Sequence, residues 1–424
     1  APFLHGIYVD DAPELESWLR HEQERWQQMV IQALQRLTQH HTETAAYALA
    51  LGYVQQLLAL EPWREEAQRQ AMLLLARTGQ ISAALAQYER CRQTLQAELA
   101  VEPDPETERL YTKIKAMTHA PFPNLLAATT PFIGRAEELA ELIRLLANSG
   151  SRLITLLGPG GMGKTRLALE VAGSMVSEQR RIFLQGICVV ALAGADSAAQ
   201  FVAALAQALT FTIQPQSPPT DQLIQYLRDK ELLLVLDNFE QLINAASLAF
   251  VTKLLQMAPD VKLLITSRVR LNVQSEQLYW LQGLQVPAAQ ASHERLRQSD
   301  LDQYSSLQLF MASAQRTQAS YLPSSEDNSA IVAICRLVQG MPLAIELAAA
   351  WTSILAPTKI VTEMSRTLDF LASEMHDLPL RQRSMRAVFD TSWRLLSPAE
   401  QAVFQQLSIF RGGFTLEAAQ AVAD

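Results

Sequence analysis

Residues 153–165 read LITLLGPGGMGKT, an apolar run that leads into a glycine-rich segment closed by Lys164 and Thr165. Leucine and isoleucine in an unbroken run favour a buried strand, and residues 167–175 carry apolar side chains at helical spacing. A strand, a glycine-rich turn and a helix in direct succession are typical of a phosphate-binding loop. A chance match in an ordinary loop is the alternative, and the flanking strand and helix argue against it.

The glycine-rich loop has the chemistry that a nucleotide phosphate requires. Glycine has no Cβ, so the backbone at Gly160 and Gly161 can approach an anion closely and turn successive N–H groups towards it. The amino end of the following helix adds a positive field. Lys164 would neutralise the β- and γ-phosphates, and the Thr165 hydroxyl would bind Mg²⁺. The predicted nucleotide-binding residues of this segment are Gly158, Gly160, Gly161, Met162, Gly163, Lys164, Thr165 and Arg166.

An acidic residue follows a second apolar run. Residues 232–236 read LLLVL and Asp237 comes next. A buried parallel strand is a continuous apolar run, and an acid at its carboxyl end projects into the ligand crevice. Asp237 is therefore predicted to hold Mg²⁺ together with Thr165 and to be catalytic together with Lys164. A helix-capping aspartate is the structural alternative.

A third apolar run ends in a cation. Residues 261–267 read VKLLITS and precede Arg268. Arginine suits bidentate contact with phosphate, so Arg268 is predicted as the catalytic residue that senses the γ-phosphate. Arg270 is the rival candidate, and an ordinary surface arginine is the alternative. With further strands near residues 187–192 and 278–281, these runs predict a doubly wound parallel sheet.

The segment before the loop, residues 131–139, reads PFIGRAEEL and leads into a helix with one apolar face. We expect Phe132, Ile133, Gly134 and Arg135 to contact the ribose or the base of the nucleotide. The alternative is a turn in which Phe132 and Ile133 pack on the core.

Residues 13–117 are predicted to be helical throughout. Apolar residues recur at intervals of three and four along residues 15–37, which predicts one apolar stripe on a long helix. Residues 45–57 are echoed 34 positions later, with Ala50 matching Ala84. This period is typical of tetratricopeptide-like (TPR-like) helical hairpins, although two units are few and chance similarity is the alternative.

Composition and charge limit the class of protein. The 424 residues suggest about three domains at roughly 150 residues each. The net charge of -8 gives no support for DNA binding through bulk electrostatics. The three cysteines are far apart, which argues against a disulfide framework or a metal cluster and favours the reducing cytoplasm. We expect no membrane span, no secretory leader and a chain cut at both ends.

The helical region resembles the bacterial transcriptional activator domain. The resemblance covers about residues 1–117, and the domain follows a winged-helix DNA-binding domain in that family and works in protein contacts. It implies a role in transcription control, contact with the transcription machinery through the helical domain, and DNA binding only through a domain missing from this chain. The runs that carry it are PFLHG (2–6), EPWREEA (61–67), LARTG (75–79), ALAQYERC (84–91) and ELAVEPDPET (98–107).

Five motifs in order resemble those of STAND signal-transduction ATPases, most of all the NB-ARC type. They are FIGRAEEL (132–139), LITLLGPGGMGKT (153–165), LLLVLD (232–237), VKLLITSR (261–268) and GMPLA (340–344). The resemblance spans about residues 121–424 and implies ATP or ADP with Mg²⁺, adenine as the base, and a helical lid whose Pro342 packs on adenine. Asn238 stands where many hydrolysing relatives carry a second acid, so hydrolysis should be slow unless Glu240 takes that part.

Three features of the carboxyl-terminal part bear on its function. Residues 395–414 resemble the start of the family's winged-helix domain. Residues 375–377 spell the family's Met-His-Asp nucleotide-sensing triplet, but they precede the winged helix, and we interpret the match as coincidence. The basic cluster Arg381, Arg383 and Arg386 is most simply a solvated helix start, and it could also face DNA or phosphate.

The predicted fold is therefore multidomain, α and α/β. The predicted units are a TPR-like activator domain (1–117), a linker (118–130), a P-loop nucleotide-binding domain (131–284), a helical lid (285–378) and a partial winged helix (379–424). The leading hypothesis is an ATP/ADP switch that hydrolyses ATP slowly and self-associates when it opens. The alternatives are a conventional P-loop ATPase or kinase with a helical interaction domain, and a scaffold that binds nucleotide structurally.

Overall fold

The structure is a computed structural model of the chain. It describes residues 13–117, 130–148, 150–176, 183–287, 303–366, 371, 384–410 and 414–423. Some predictions lie outside the described residues: the opening run 2–6, the linker at 118–129, the triplet 375–377, and Arg381 and Arg383.

The amino-terminal region consists of five helices that pack one on the next. They are α1 (Pro13–Glu43), α2 (Tyr47–Leu60), α3 (Glu65–Arg77), α4 (Ile81–Leu99) and α5 (Pro105–Ala116). The echoed positions are equivalent in burial, because Ala50 and Val54 of α2 and Ala84 and Tyr88 of α4 are all buried. The predicted stripe of α1 is buried only in part, since Leu34 packs on α2 while Trp26 is 46% exposed.

The middle of the chain forms a five-stranded parallel sheet. Its elements are α6 (Ala136–Ala147), β1 (Leu153–Leu157), α7 (Lys164–Val176), β2 (Ile187–Ala191), α8 (Ala198–Ala208), α9 (Pro219–Leu227), β3 (Leu232–Asp237), α10 (Ala245–Met257), β4 (Val261–Ser267) and β5 (Glu276–Trp280). The strand order is β2-β3-β4-β1-β5, and all neighbouring strands run parallel.

Helices cover both faces of this sheet. One core joins α8, α9 and α10 to one face, and a second core joins α6 and α7 to the other. The prediction of a doubly wound parallel sheet is therefore confirmed. β1 lies between β4 and β5. The strands that follow β1 in the chain, β2 to β4, lie on one side of it, and β5 lies on the other side. This reversal of strand order opens a crevice at the carboxyl ends of the strands.

The rest of the described chain is helical. The helices are α11 (Ser305–Thr317), α12 (Ser325–Leu337), α13 (Pro342–Ala350), α14 (Pro357–Arg366), α15 (Met385–Trp393), α16 (Pro398–Leu407) and α17 (Leu416–Ala423). We call residues 305–366 the lid. The buried Val388 of α15 belongs to the apolar core of the lid. In the part of the chain that the structure describes, none of the helices is long and apolar enough to cross a membrane.

A buried glutamine joins the amino-terminal helices to the sheet. The Gln185 side chain is 3% exposed and its amide donates to the Lys113 carbonyl at 3.0 Å. The same side chain accepts from the Glu231 N–H at 2.6 Å. One amide group therefore satisfies a backbone acceptor at the end of α5 and a backbone donor just before β3.

Replacing Gln185 with alanine should lower the free energy of unfolding, because two backbone groups lose their partner inside a buried contact. Each orphaned group costs about 1–3 kcal/mol. Gln222 is the matched control: its amide also bridges backbone groups, those of Gln214 and Ser217, but these bonds are exposed. Chemical denaturation should show a larger loss for Gln185→Ala than for Gln222→Ala. Equal losses would contradict this account of Gln185.

Candidate nucleotide-binding site

The glycine-rich loop connects β1 to α7 at the carboxyl edge of the sheet. Gly161 and Gly163 have φ of 78° and 83°, a region that glycine adopts without strain. The Lys164 ammonium donates to the carbonyls of Gly158 at 2.7 Å and Pro159 at 2.9 Å. The lysine therefore lies folded against its own loop, with its charge at the centre of the turn.

The environment of Lys164 lowers the pKa of its ammonium group. Its pKa is lowered from 10.5 to about 8, mainly by burial and also by the nearby Arg268, while the carboxylates of Glu240 and Asp237 act in the opposite direction. A bound anion next to the ammonium would favour the charged form and raise this pKa. The charge state of Lys164 thus depends on what lies in the loop.

Asp237 ends β3 and lies at the centre of a hydroxyl cluster. Its Oδ1 accepts from the hydroxyls of Thr165 and Thr266, each at 2.6 Å. Its Oδ2 accepts from the Asn238 side-chain amide at 2.9 Å. Thr165 and Asp237, which the sequence predicted as a pair, are therefore in direct contact. Thr266 was not predicted, although a hydroxyl residue at the carboxyl end of an apolar strand was a usable signal.

This donor set fits a magnesium ion. Mg²⁺ prefers oxygen ligands and is usually held by one or two protein groups together with water and phosphate oxygens. Thr165 and Asp237 supply one hydroxyl and one carboxylate in contact with each other. Across the described residues, no group of three or more His, Cys, Asp or Glu side chains could hold an ion alone.

Arg268 connects three parts of the chain beside the loop. Its Nε lies 3.2 Å from Glu240 Oε1, and both side chains are largely buried, at 12% and 7% exposure. Its Nη1 contacts the Ser392 hydroxyl at 2.6 Å and the Val388 carbonyl at 3.3 Å, both on α15. The rival candidate Arg270 is exposed and does not line the cleft.

The lid and α15 close directly over the loop. The Leu343 N–H donates to the Gly161 carbonyl at 3.2 Å, and Pro342 Cγ lies 3.8 Å from where a Cβ on Gly163 would be. A Cβ on Gly160 would lie 2.6 Å from Val388 Cγ1 and 3.1 Å from Arg268 Cζ. The loop therefore contacts the first turn of α13 and the inner face of α15 with no room for a side chain at Gly160.

A cleft of about 400 Å³ lies between the sheet, the lid and α15. Most predicted site residues line it, whereas Gly134, Gly158, Met162 and Asp237 do not, Asp237 being reached through Thr165. Among the residues of its wall, Glu346 is the acidic one, and it was not predicted. The predicted residues that line the cleft are Phe132, Ile133, Arg135, Gly160, Gly161, Gly163, Lys164, Thr165, Arg166, Arg268 and Pro342.

Arg135 and Gly134 support the loop through contacts with its backbone, the strand end and the lid. The buried Arg135 guanidinium donates to the carbonyls of Met162 at 2.7 Å and Gln282 at 3.0 Å, and burial lowers its pKa. A Cβ on Gly134 would lie 2.5 Å from Ser305 Cβ. The predicted segment 132–135 thus holds the loop against the strand end and the lid, while Phe132 and Ile133 face the cleft.

Two domain families match the sequence. The bacterial transcriptional activator domain matches residues 3–115, and the AAA ATPase domain matches residues 131–266. The second match ends at Thr266, one of the hydroxyls that contact Asp237. The order of the two domains is the order that the motifs predicted.

Several curated proteins are similar to this chain. The putative HTH-type transcriptional regulator Rv0890c of Mycobacterium tuberculosis is 34% identical over 273 residues, which are 64% of this chain and 28% of that protein. The uncharacterized protein Rv0894 of the same species is 32% identical over 293 residues, 69% of each chain. The regulatory protein AfsR of Streptomyces griseus is 29% identical over 421 residues, covering 90% of this chain and 39% of AfsR. The chain thus spans 28% of the length of the HTH-type regulator that it matches.

ADP affinity should fall as the pH rises above about 8, because Lys164 loses its proton in the free protein there. Phosphate favours the charged lysine, so binding takes up a proton above that pKa and weakens by up to about tenfold per pH unit. Calorimetry from pH 7 to 9.5 measures the slope. Lys262 also has its pKa lowered to about 8 by burial, but it lies near the amino end of β4. Lys262→Arg should keep the profile, and an affinity independent of pH in the parent protein would contradict the role of Lys164.

Proposed function

Because the chain belongs to the same family as Rv0894, is homologous to the regulatory protein AfsR and carries an activator domain followed by an ATPase domain, we propose that it is an ATP/ADP-binding switch of a transcriptional regulator. The observation that carries the proposal is the position of Arg268. This cation contacts the phosphate loop, Glu240 and α15 together, so it can respond to an anion in the loop and change the hold on α15.

Different residues of the cleft would bind different parts of the nucleotide. The loop N–H groups and Lys164 would hold the phosphates, and Thr165 and Asp237 would hold Mg²⁺, which supplies charge neutralisation at the phosphates. Phe132, Ile133 and Pro342 provide an apolar wall for the base. Adenine as the base comes from the STAND resemblance of the five motifs.

Arg268 would distinguish the two nucleotides. In the closed arrangement its guanidinium is shared between Glu240 and the Ser392 hydroxyl. A third phosphate would compete for the same donors, because charge-assisted bonds to phosphate are stronger than a bond to a neutral hydroxyl. Arg268 would then leave Ser392, and α15 would lose a contact that holds it on the loop. ADP would therefore favour the closed state, and ATP an open state.

Hydrolysis should be slow in the closed state. Asn238 cannot act as a base, and its amide is bonded to Asp237. Glu240 could orient a water molecule, but one of its oxygens is paired with Arg268. The other Glu240 oxygen is buried without a hydrogen-bond partner among the described residues, and movement of Arg268 would free the whole carboxylate, so turnover would act as a timer for the open state.

The partners of the whole protein follow from the same proposal. The open state would self-associate, and the helical domain would contact the transcription machinery. DNA would be read through a domain outside this chain. We place the switch in the cytoplasm, where its nucleotides and a bacterial promoter are both available.

The purified protein should carry bound ADP in near-stoichiometric amount and hydrolyse ATP slowly. Denaturing the fresh protein and identifying the released nucleotide by chromatography measures the first, and phosphate release with ATP and Mg²⁺ measures the second. Lys164→Ala should carry little or no nucleotide, because the phosphates lose their cation. Normal nucleotide retention in Lys164→Ala would contradict the site, and an empty cleft with fast turnover would favour the conventional ATPase.

Ser392→Ala should loosen the closed state, because Arg268 loses the side-chain hydroxyl that it contacts on α15 and keeps the longer bond to the Val388 carbonyl there. We expect bound ADP to be released several-fold faster, which a fluorescent ADP analogue measures in a stopped-flow chase. Ser365, on the lid helix α14, is a matched helical serine whose hydroxyl also bonds the carbonyl four residues earlier. Ser365→Ala should keep the parent rate. If both variants release ADP at the parent rate, Ser392 does not hold the closed state.

A further inference from the structure

The amino edge of the sheet, opposite the cleft, carries two acids at equivalent positions. Glu231 directly precedes β3 and Asp260 directly precedes β4. Each pairs with a cation from the amino-terminal helices: Arg77 lies 3.2 Å from Glu231, and Lys113 contacts Asp260. Charge complementarity therefore joins two adjacent strands to the ends of two different helices, α3 and α5.

The first of these pairs is largely buried, whereas Asp260 of the second is 44% exposed. Arg77 and Glu231 are 18% and 19% exposed, and Leu184, just before β2, packs in one apolar cluster with Met72 and Ile114. Burial raises the pKa of Glu231, and Arg77 opposes that rise by stabilising the carboxylate. Without Arg77 the buried carboxylate would lose its ion-pair partner and keep the weaker influence of Lys113 and Lys262, which is costly. The pair therefore specifies how the helical domain sits on the sheet.

The same two strands lead to the cleft at their other ends. β3 runs from the residue after Glu231 to Asp237, and β4 runs from the residue after Asp260 to Ser267, next to Arg268. β3 is buried along its whole length and is hydrogen-bonded to β2 and β4 on its two sides. A close-packed strand of this kind is poorly compressible, so a shift at one end is transmitted towards the other.

The chain's own helical domain docks on the edge formed by Glu231 and Asp260, and we propose that β3 and β4 couple this docking to the nucleotide in the cleft. The inference rests on the proposed nucleotide switch. It adds the strands through which the nucleotide state would affect the activator domain. Docking favours the closed, ADP-binding arrangement, so ADP binding and docking strengthen each other. Coupling between two sites is reciprocal, so each effect can be measured from the other side.

The test is a charge-reversal series in the full chain: Arg77→Glu, Glu231→Arg and the double swap. Hydrogen exchange of residues 183–187 reports docking, and calorimetry reports ADP affinity. We expect each single variant to speed exchange there and to weaken ADP binding at least threefold, and the double swap to restore both. Lys113→Ala breaks the second pair with a smaller perturbation and should act in the same direction. In the parent protein, added ADP should slow exchange at residues 183–187.

Lys253→Glu is the matched control, because Lys253 forms an exposed ion pair with Asp221 within the nucleotide-binding domain. It should leave exchange at residues 183–187 and ADP affinity unchanged. Unaltered exchange in the Arg77 and Lys113 variants would overturn the docking surface. Faster exchange with unchanged ADP affinity would overturn the coupling. If the parent protein bound no ADP, the proposed switch would fail and the coupling with it, while the exchange measurements would still decide whether the edge is a docking surface.

Discussion

The guanidinium of Arg268 is bound by two distant parts of the chain at the mouth of the phosphate loop. Glu240, just after β3, holds one side of it, and the Ser392 hydroxyl on α15 holds another. The group is nearly buried, so each of these contacts counts for more than it would in water. The closed arrangement of the cleft depends on this sharing, because the same contact joins the sheet, the loop and α15.

The fold brings this about through strand order. With β1 between β4 and β5, the loop after β1 lies next to the ends of β4 and β3, which supply Arg268, Thr266 and Asp237. The loop itself makes its contacts with the lid through backbone, since the Leu343 N–H bonds the Gly161 carbonyl. The loop that would bind the phosphates is therefore also the loop that contacts the lid. This is the physical basis for treating the cleft as a switch, because an anion at the loop would disturb contacts that already hold the domains together.

Sequence patterns predicted the parts of this arrangement that are local. Apolar runs located β1, β3 and β4, and the residues at their ends, such as Asp237, followed from the geometry of parallel sheets. The patterns could not give the pairing of Arg268 with Ser392, because these residues are 124 positions apart and a serine in a helix has no distinctive spacing. They also overestimated the burial of α1, since an amphipathic stripe shows that a face is apolar and does not show how much of it has a partner. The Glu231 and Asp260 pairs were missed because single acids before strands are common in loops.

The most direct measurement is hydrogen exchange of the α15 backbone, residues 385–393, in the presence of saturating ADP and of a non-hydrolysable ATP analogue with Mg²⁺. The account predicts slow exchange with ADP, because Arg268 and the loop hold α15. It predicts clearly faster exchange with the ATP analogue, because Arg268 is drawn to the additional phosphate. Equal exchange of α15 with the two nucleotides, both shown to be bound, would contradict the claim that this contact switches with the nucleotide.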